Sequence, residues 1–257
     1  MKRFLIAAAA VLAAFGSAAQ TYPSKTIKIV VPFTAGSATD IMARVVGEKL
    51  QAAWGQPVVV ENRPGAGGTL GAAQVAKSEA DGHTLLVVST GHVVNPALYS
   101  SIPYDTLGDF AGVSPLASLP SMLVVGSGSP IKSVAELLTA ARAKPGALNY
   151  ASAGVGSATH VNAEKFRAAA NLQITHIPFK GTPETIVEVS TGRADFMFTP
   201  ILASLPAVKE NRLRAIAVST SKRSSALPNV PTVAESGLPG FVFDFWIGML
   251  APAKTPK

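Results

Sequence analysis

The chain has 257 residues, 48% of them apolar, with 22 basic against 15 acidic side chains, a formal net charge of +7 and no cysteine. Without cysteine there is no disulfide, no thiolate nucleophile and no cysteine metal site. The basic residues are scattered and form no stripe interleaved with aromatics, so nucleic acid is not an expected partner, and the charge mildly favours anionic ligands.

In chain order, Lys2 and Arg3 precede an apolar run over residues 4–15 and then the small residues Ser17, Ala18 and Ala19. A run of about a dozen residues is too short to span a bilayer, and the basic, apolar, small order is that of a cleaved secretory leader. Residues 1–19 are expected to be a signal peptide, with the mature protein starting near Gln20 and working outside the cytoplasm. Residues 27–31 then read as a buried strand ending at Pro32. Met42, Val46, Leu50 and Trp54 recur at helical spacing, with Gly55 placed to end that helix. Further strands are predicted at 58–60 and 84–89, with a helix at 70–77 between them and a turn-rich link at 61–68.

The same rhythm continues. Strands are predicted at 122–125, 148–151, 175–177, 196–198 and 213–218. Ser133 and Glu136 form a capping box that opens a helix. Gly154-Val155-Gly156-Ser157 leads into another helix through Phe166. Thr182-Pro183-Glu184 reads as an N-cap, a proline at the first helical position and an acid in the first turn. Alternating β and α segments with short links predict an α/β fold with largely parallel sheets. Stretches rich in small polar residues near 118–121 and 219–225 mark candidate lobe boundaries.

Several kinds of chemistry are weighed against these residues. Leu70 and Thr159 stand where a dinucleotide fingerprint needs its third glycine, and no phosphate-binding P-loop occurs. Ser157 and His160 are close in sequence, but no G-x-S-x-G elbow supports a hydrolase. His83, His92, His160 and His176 lack a metal-ligand spacing. What remains is a pair of small, polar loops, residues 34–40 and 154–160, each between a strand and a helix. Free N–H groups at a helix start attract anions, and Ser37, Thr39, Ser157 and Thr159 add hydroxyls. One such loop falls in each candidate lobe, at strand carboxyl ends where α/β folds bind ligands.

The motifs YPSK with IKIVVPF, GQPVVVENRPGAGG, DGHTLL, NPALY, LNYASAG, PFKG and LPNVPTVAESGLPGF occur in this order from Tyr22 onward. The chain thereby resembles the Bug (TctC-like) extracytoplasmic solute receptors of tripartite tricarboxylate transporters. The resemblance implies an α/β, two-lobed periplasmic-binding-protein fold (type II-like) with two inter-lobe crossovers, one lobe from 20–120 plus 222–257 and the other from 121–221. It implies a monomeric, non-enzymatic periplasmic receptor with no cofactor, whose partners are a small carboxylate and either membrane permease subunits or a sensor kinase ectodomain. Carried onto this chain, the ligand-binding residues are Phe33, Thr34, Ala35, Gly36, Ser37, Ala38, Thr39 and Asp40, with Ser89, Thr90 and Gly91, from the first lobe. The second lobe contributes Gly154, Gly156, Ser157, Thr159, His160, Lys180, Gly181 and Thr199. Asp40 is expected to orient its loop rather than meet the ligand. Thr199 stands where many relatives carry an acid, which argues against a ligand bearing an ammonium group. The resemblance also implies a long C-terminal helical segment beyond Lys257, and apolar surface it would cover is expected to be exposed.

Overall fold

The computed structural model describes residues 22–256, so the expected leader lies outside the described residues. The first half runs β1 (Ile27–Val31), α1 (Ala38–Trp54), β2 (Val58–Asn62), a 3-10 turn (Ala66–Gly68), α2 (Thr69–Ala76), β3 (Thr84–Ser89), α3 (Gly91–Leu98) and β4 (Phe110–Leu119). The second runs β5 (Ser121–Gly126), α4 (Val134–Ala143), β6 (Asn149–Ser152), α5 (Ala158–Ala169), β7 (Thr175–Pro178), α6 (Thr182–Ser190), β8 (Phe196–Pro200), α7 (Ile201–Lys209) and β9 (Leu213–Val218). The chain then returns to the first half as β10 (Phe245–Pro252).

Two five-stranded sheets result, ordered β2-β1-β3-β10-β4 and β7-β6-β8-β5-β9. They are mixed rather than largely parallel. β1 pairs in parallel with β2 and β3, and β6 with β7 and β8, but β10 runs antiparallel to β3 and β4, and β5 antiparallel to β8 and β9. The parallel pairs are joined by helical crossovers, as parallel strands must be. The antiparallel ones arise because β5 and β10 each enter a sheet straight from a crossing.

Those crossings lie side by side. Leu119 pairs with Phe245 at the end of the first sheet. One residue further, Pro120 and Asp244 carry the two strands across, and on the far side Ser219 N–H donates to Ser121 O (2.8 Å) and Phe243 N–H to Ser219 O (2.8 Å). The stretch 222–243, anticipated in the first lobe, packs on the second. Thr232 bridges Val218, and Phe241 lies against Phe166 and Phe198.

Local chemistry explains most element ends. Gly55 takes φ +67° and its N–H closes α1 on Gln51 O, the left-handed cap that glycine adopts without a Cβ penalty. Ser133 Oγ accepts from Glu136 N–H (3.2 Å) at the start of α4, and the Glu136 carboxylate accepts from Lys132 N–H (2.6 Å). At α6 the cap is Gly181, one residue before the expected Thr182. The deepest face of α1 is Ala38, Thr39, Asp40, Ala43 and Gly47. Trp54, from the expected apolar stripe, is 40% exposed. With Val46, Leu50, Tyr22, Leu116 and Met249 it borders an apolar groove of about 820 Å³ on the first lobe.

Candidate functional site

α1 and α5 start at the facing edges of the two lobes, and their first turns meet across a cleft. The cavity between them has a volume of about 20 Å³, room for one or two waters. The first lobe lines it with Phe33, Ser37, Ala38, Thr39, Ser89 and Phe245. The second contributes Ala153, Ser157, Ala158, Thr159, Thr182 and Pro200. No side chain caps the first N–H groups of α1. The Ser37 hydroxyl, which would ordinarily do so, instead accepts from Thr182 N–H of the opposite lobe (3.2 Å). On α5, Ser157 Oγ accepts from His160 N–H (3.3 Å) and shares a hydrogen bond with Thr159 Oγ1 (3.0 Å), which also accepts from Ala153 N–H (2.9 Å). Thr39 Oγ1 is different: Thr39 is 2% exposed and its hydroxyl has no partner. Two positive helix ends and an unsatisfied buried hydroxyl therefore face one small space.

The other anticipated residues stand beside this cavity and act on the loops or on the closed arrangement. Thr34 Oγ1 donates to Glu184 Oε2 across the cleft (3.0 Å), and Thr34 N–H to Lys180 O (3.4 Å). Ala35 is exposed. Gly36 N–H donates to Asp40 Oδ2 (2.9 Å). Gly181 lies against Thr34 and Ser37, and Gly91 against the Gly156 carbonyl. Gly154 takes φ +112° and packs against Gly67. Thr90 Oγ1 accepts from Trp246 N–H (3.1 Å) and donates to Asp244 O (3.3 Å), which ties it to the crossing. Thr199 is buried and shares a hydrogen bond with Ser204 Oγ (2.6 Å). Ala153, Thr182, Pro200 and Phe245 were missed. Phe245 and Pro200 carry no polar signal, and Thr182 was read only as a cap.

Asp40 organises the first loop. Its two oxygens accept from Gly36 N–H, from Arg44 Nε and a second Arg44 nitrogen (3.0 Å each) and from Asn62 Nδ2 (2.9 Å). Asn62 also donates to Phe33 O (2.9 Å). Burial alone would raise the Asp40 pKa, but the bonds from Arg44, Gly36 and Asn62 outweigh it and hold the carboxyl below its ordinary range.

The Ser157–His160 dyad is not formed. The His160 ring accepts from Gly156 N–H at Nδ1 (3.2 Å) and packs at a tilt against His176 with centroids 4.2 Å apart. His176 Nε2 meets Ser152 Oγ (2.6 Å), a serine that is buried and does not line the cavity. Burial, with the facing His160, lowers the His176 pKa to about 4. Among the described residues no group of three metal-ligating side chains occurs.

His92 lies behind the site, stacked on Tyr104 and edge-on to Phe110, with Nε2 buried and unpartnered. Burial lowers its pKa from 6.5 to about 4. The neutral ring is the one the fold accepts, so its contribution is complete above pH 6.5 and is lost as pH falls toward 4, about 3 kcal/mol from this residue. Urea unfolding at pH 7.5, 5.5 and 4.5 should show that decline, and His92→Phe should make it shallower, leaving the part that His176, lowered in the same way, contributes. An equally steep decline in the variant would exclude His92 as its source.

Two α/β lobes joined by adjacent crossings are the fold of a periplasmic solute-binding protein. The sequence relationships narrow the class. The family model for the tripartite tricarboxylate transporter family receptor, TctC, matches residues 42–257, and the chain belongs to that family. It is 40% identical over 242 residues to protein BugT of Bordetella pertussis, covering 93% of this chain and 74% of that protein. An R. palustris structure with adipate superposes with a TM-score of 0.89 at 35% identity, covering 92% of this chain and 79% of that one. MatC from Rhodopseudomonas palustris with bound malate does so with a TM-score of 0.88 at 35% identity, covering 91% and 80%.

Proposed function

We propose that this protein is a periplasmic, non-enzymatic receptor that captures a small organic carboxylate between its lobes for uptake through membrane permease subunits of a tripartite tricarboxylate-type transporter. The observation that carries this reading is the unpartnered Thr39 hydroxyl, buried between two helix N-termini from opposite lobes. A carboxylate satisfies all three at once: it accepts from the hydroxyl and from free N–H groups, and its charge complements both helix dipoles. The lining carries no cation and no anion, so backbone and hydroxyl donors do the recognition. The adipate- and malate-bound relatives support the ligand class. Acids of that size exceed a cavity of about 20 Å³. The side chains lining it must therefore rearrange to admit the ligand, and binding works by shifting an open–closed equilibrium.

Native mass spectrometry after incubation with pooled carboxylates, malate and adipate included, tests this. The expected result is a one-to-one adduct at the mass of an unmodified acid. A chemically altered acid, or no adduct across the pool, would overturn it.

Thr39→Val gives a sharper check because two effects have opposite signs. Removing an unsatisfied buried hydroxyl should stabilise the ligand-free protein by about 1 kcal/mol, while carboxylate affinity should fall by roughly 1–3 kcal/mol. Ser157→Ala should weaken binding by a comparable amount without the gain in stability, since it also removes a cap. Calorimetric titration and thermal unfolding read both quantities; unchanged affinity would remove the hydroxyl from the site.

A further inference from the structure

A buried polar knot ties the ligand end of α5 to the hinge. Asn162 lies one turn inside α5, on the face shared by Ala158 and Thr159, and those two residues line the cavity. It is 1% exposed. Its amide nitrogen donates to Ser121 Oγ (3.2 Å) and to Ser219 Oγ (3.3 Å). Ser121 is the first residue beyond Pro120, and Ser219 is where the returning chain leaves β9. One side chain thus holds the first crossing directly and the second through Ser219, which pairs with Phe243 just before Asp244.

The chemistry at this position is specific. Each serine commits its proton to a carbonyl: Ser121 to Thr199 O (3.1 Å), and Ser219 to Ser121 O (3.2 Å) or Phe243 O (3.4 Å). Both hydroxyls therefore turn lone pairs toward α5, and only a group with two N–H donors answers them. An amide does so; a carboxylate of the same shape would set acceptor against acceptor. The cost is visible as well, because Asn162 Oδ1 is buried without a partner. Simple packing would be served as well by an apolar side chain, which leaves no such atom unsatisfied.

We propose that Asn162 is a positioning residue for ligand capture. It locks the ligand-facing turn of α5 to both crossing strands, so that the second lobe rotates as one body about Pro120 and Asp244 when ligand engages α5. The inference rests on the receptor reading above.

The absence of cysteine permits a direct test. Lys49→Cys on α1 and Lys144→Cys after α4, both exposed, place one spin label on each lobe. Inter-lobe distance distributions are then recorded by pulsed electron spin resonance, without ligand and with saturating malate or adipate. Alongside the parent, the carriers are Asn162→Asp and Asn162→Ala. The expected result is a broadened ligand-free distribution in both variants, a diminished ligand-induced shift and an affinity about tenfold lower, with circular dichroism and cooperative unfolding retained. Should Asn162→Asp not fold, Ser219→Ala, which removes one of the two acceptors, replaces it, with broadening between parent and Asn162→Ala. A folded variant with the parent's ligand-free distribution would overturn the proposal. If the parent neither binds nor shifts with these acids, the receptor reading is what fails. The ligand-free widths still decide the role of Asn162, equal widths refuting it and broader ones upholding it.

Discussion

Gly91→Ala should nearly abolish ligand capture while leaving both lobes folded. Gly91 is the first residue of α3, and its φ is not in the left-handed region. Within the first lobe alone, alanine is therefore favoured there over glycine by helix propensity. The obstacle lies across the cleft. A Cβ at Gly91 would stand 2.2 Å from the Gly156 carbonyl oxygen and 3.0 Å from Ala158 N. Both are backbone atoms at the start of α5 and cannot rotate away, so the clash exists only when the lobes close. If overpacking of this kind raises the closed state by about 3 kcal/mol, apparent affinity falls roughly a hundredfold. Calorimetric titration with malate or adipate should show that loss, with an unfolding temperature at or slightly above the parent's and a larger radius of gyration with ligand. Gly181→Ala is the useful contrast. Its Cβ meets Thr34 Oγ1 at 1.9 Å, but a threonine side chain can turn aside, so a smaller loss is expected. Parent-like affinity for Gly91→Ala would mean that capture does not need the lobe contact seen here.

Much of the architecture is written locally. β1, β3 and β9 are dominated by Val, Ile, Leu and Ala, and they read as strands without help from the rest of the chain. Four elements do not read this way. α3 and α7 contain Pro96 and Pro206, which local reasoning takes as breakers. β4 contains Pro115 and is half exposed, and it tolerates the proline where its register with β10 shifts. β10 has Gly248 within it and Pro252 at its end, and it is a strand because it fills the gap between β3 and β4. The cavity shows the same division. Both loops that start α1 and α5, which line the cavity, were legible as candidate site loops because their chemistry is contiguous. Thr182, Pro200 and Phe245 reach the cavity only through sheet order and lobe closure, which no window of sequence contains. Ser37 shows the limit most directly. A serine before a helix reads as an N-cap, but its oxygen is used by Thr182 of the other lobe, and that diversion leaves the first turn of α1 without a side-chain cap.

Asp40→Asn should then cost more than any other single-atom change near the site. Four donors converge on two oxygens: Gly36 N–H and Arg44 Nε on Oδ2, and Arg44 and Asn62 nitrogens on Oδ1. An asparagine keeps one acceptor and turns an NH₂ group toward the remaining donors, so two of the four bonds become donor-to-donor conflicts. The negative charge that complements the N-terminus of α1 is lost with them. Arg44 is half exposed and recovers hydration, which limits the penalty to about 2–4 kcal/mol. The consequence for binding is larger than for stability, because Gly36 and Asn62 fix the loop that presents Ser37 and Thr39. pH separates this account from a packing defect. The Asp40 pKa is lowered in the fold from an ordinary 3.8, so the stability its charge supplies is complete above about pH 3.8 and disappears as pH falls through the lowered value. The stability gap between parent and Asp40→Asn should therefore be widest near neutrality and close as the parent's carboxylate is protonated. Urea unfolding of both proteins from pH 7 down to about pH 3 measures it, and a gap that stays constant over that range would show that the charge of Asp40 does not hold the loop.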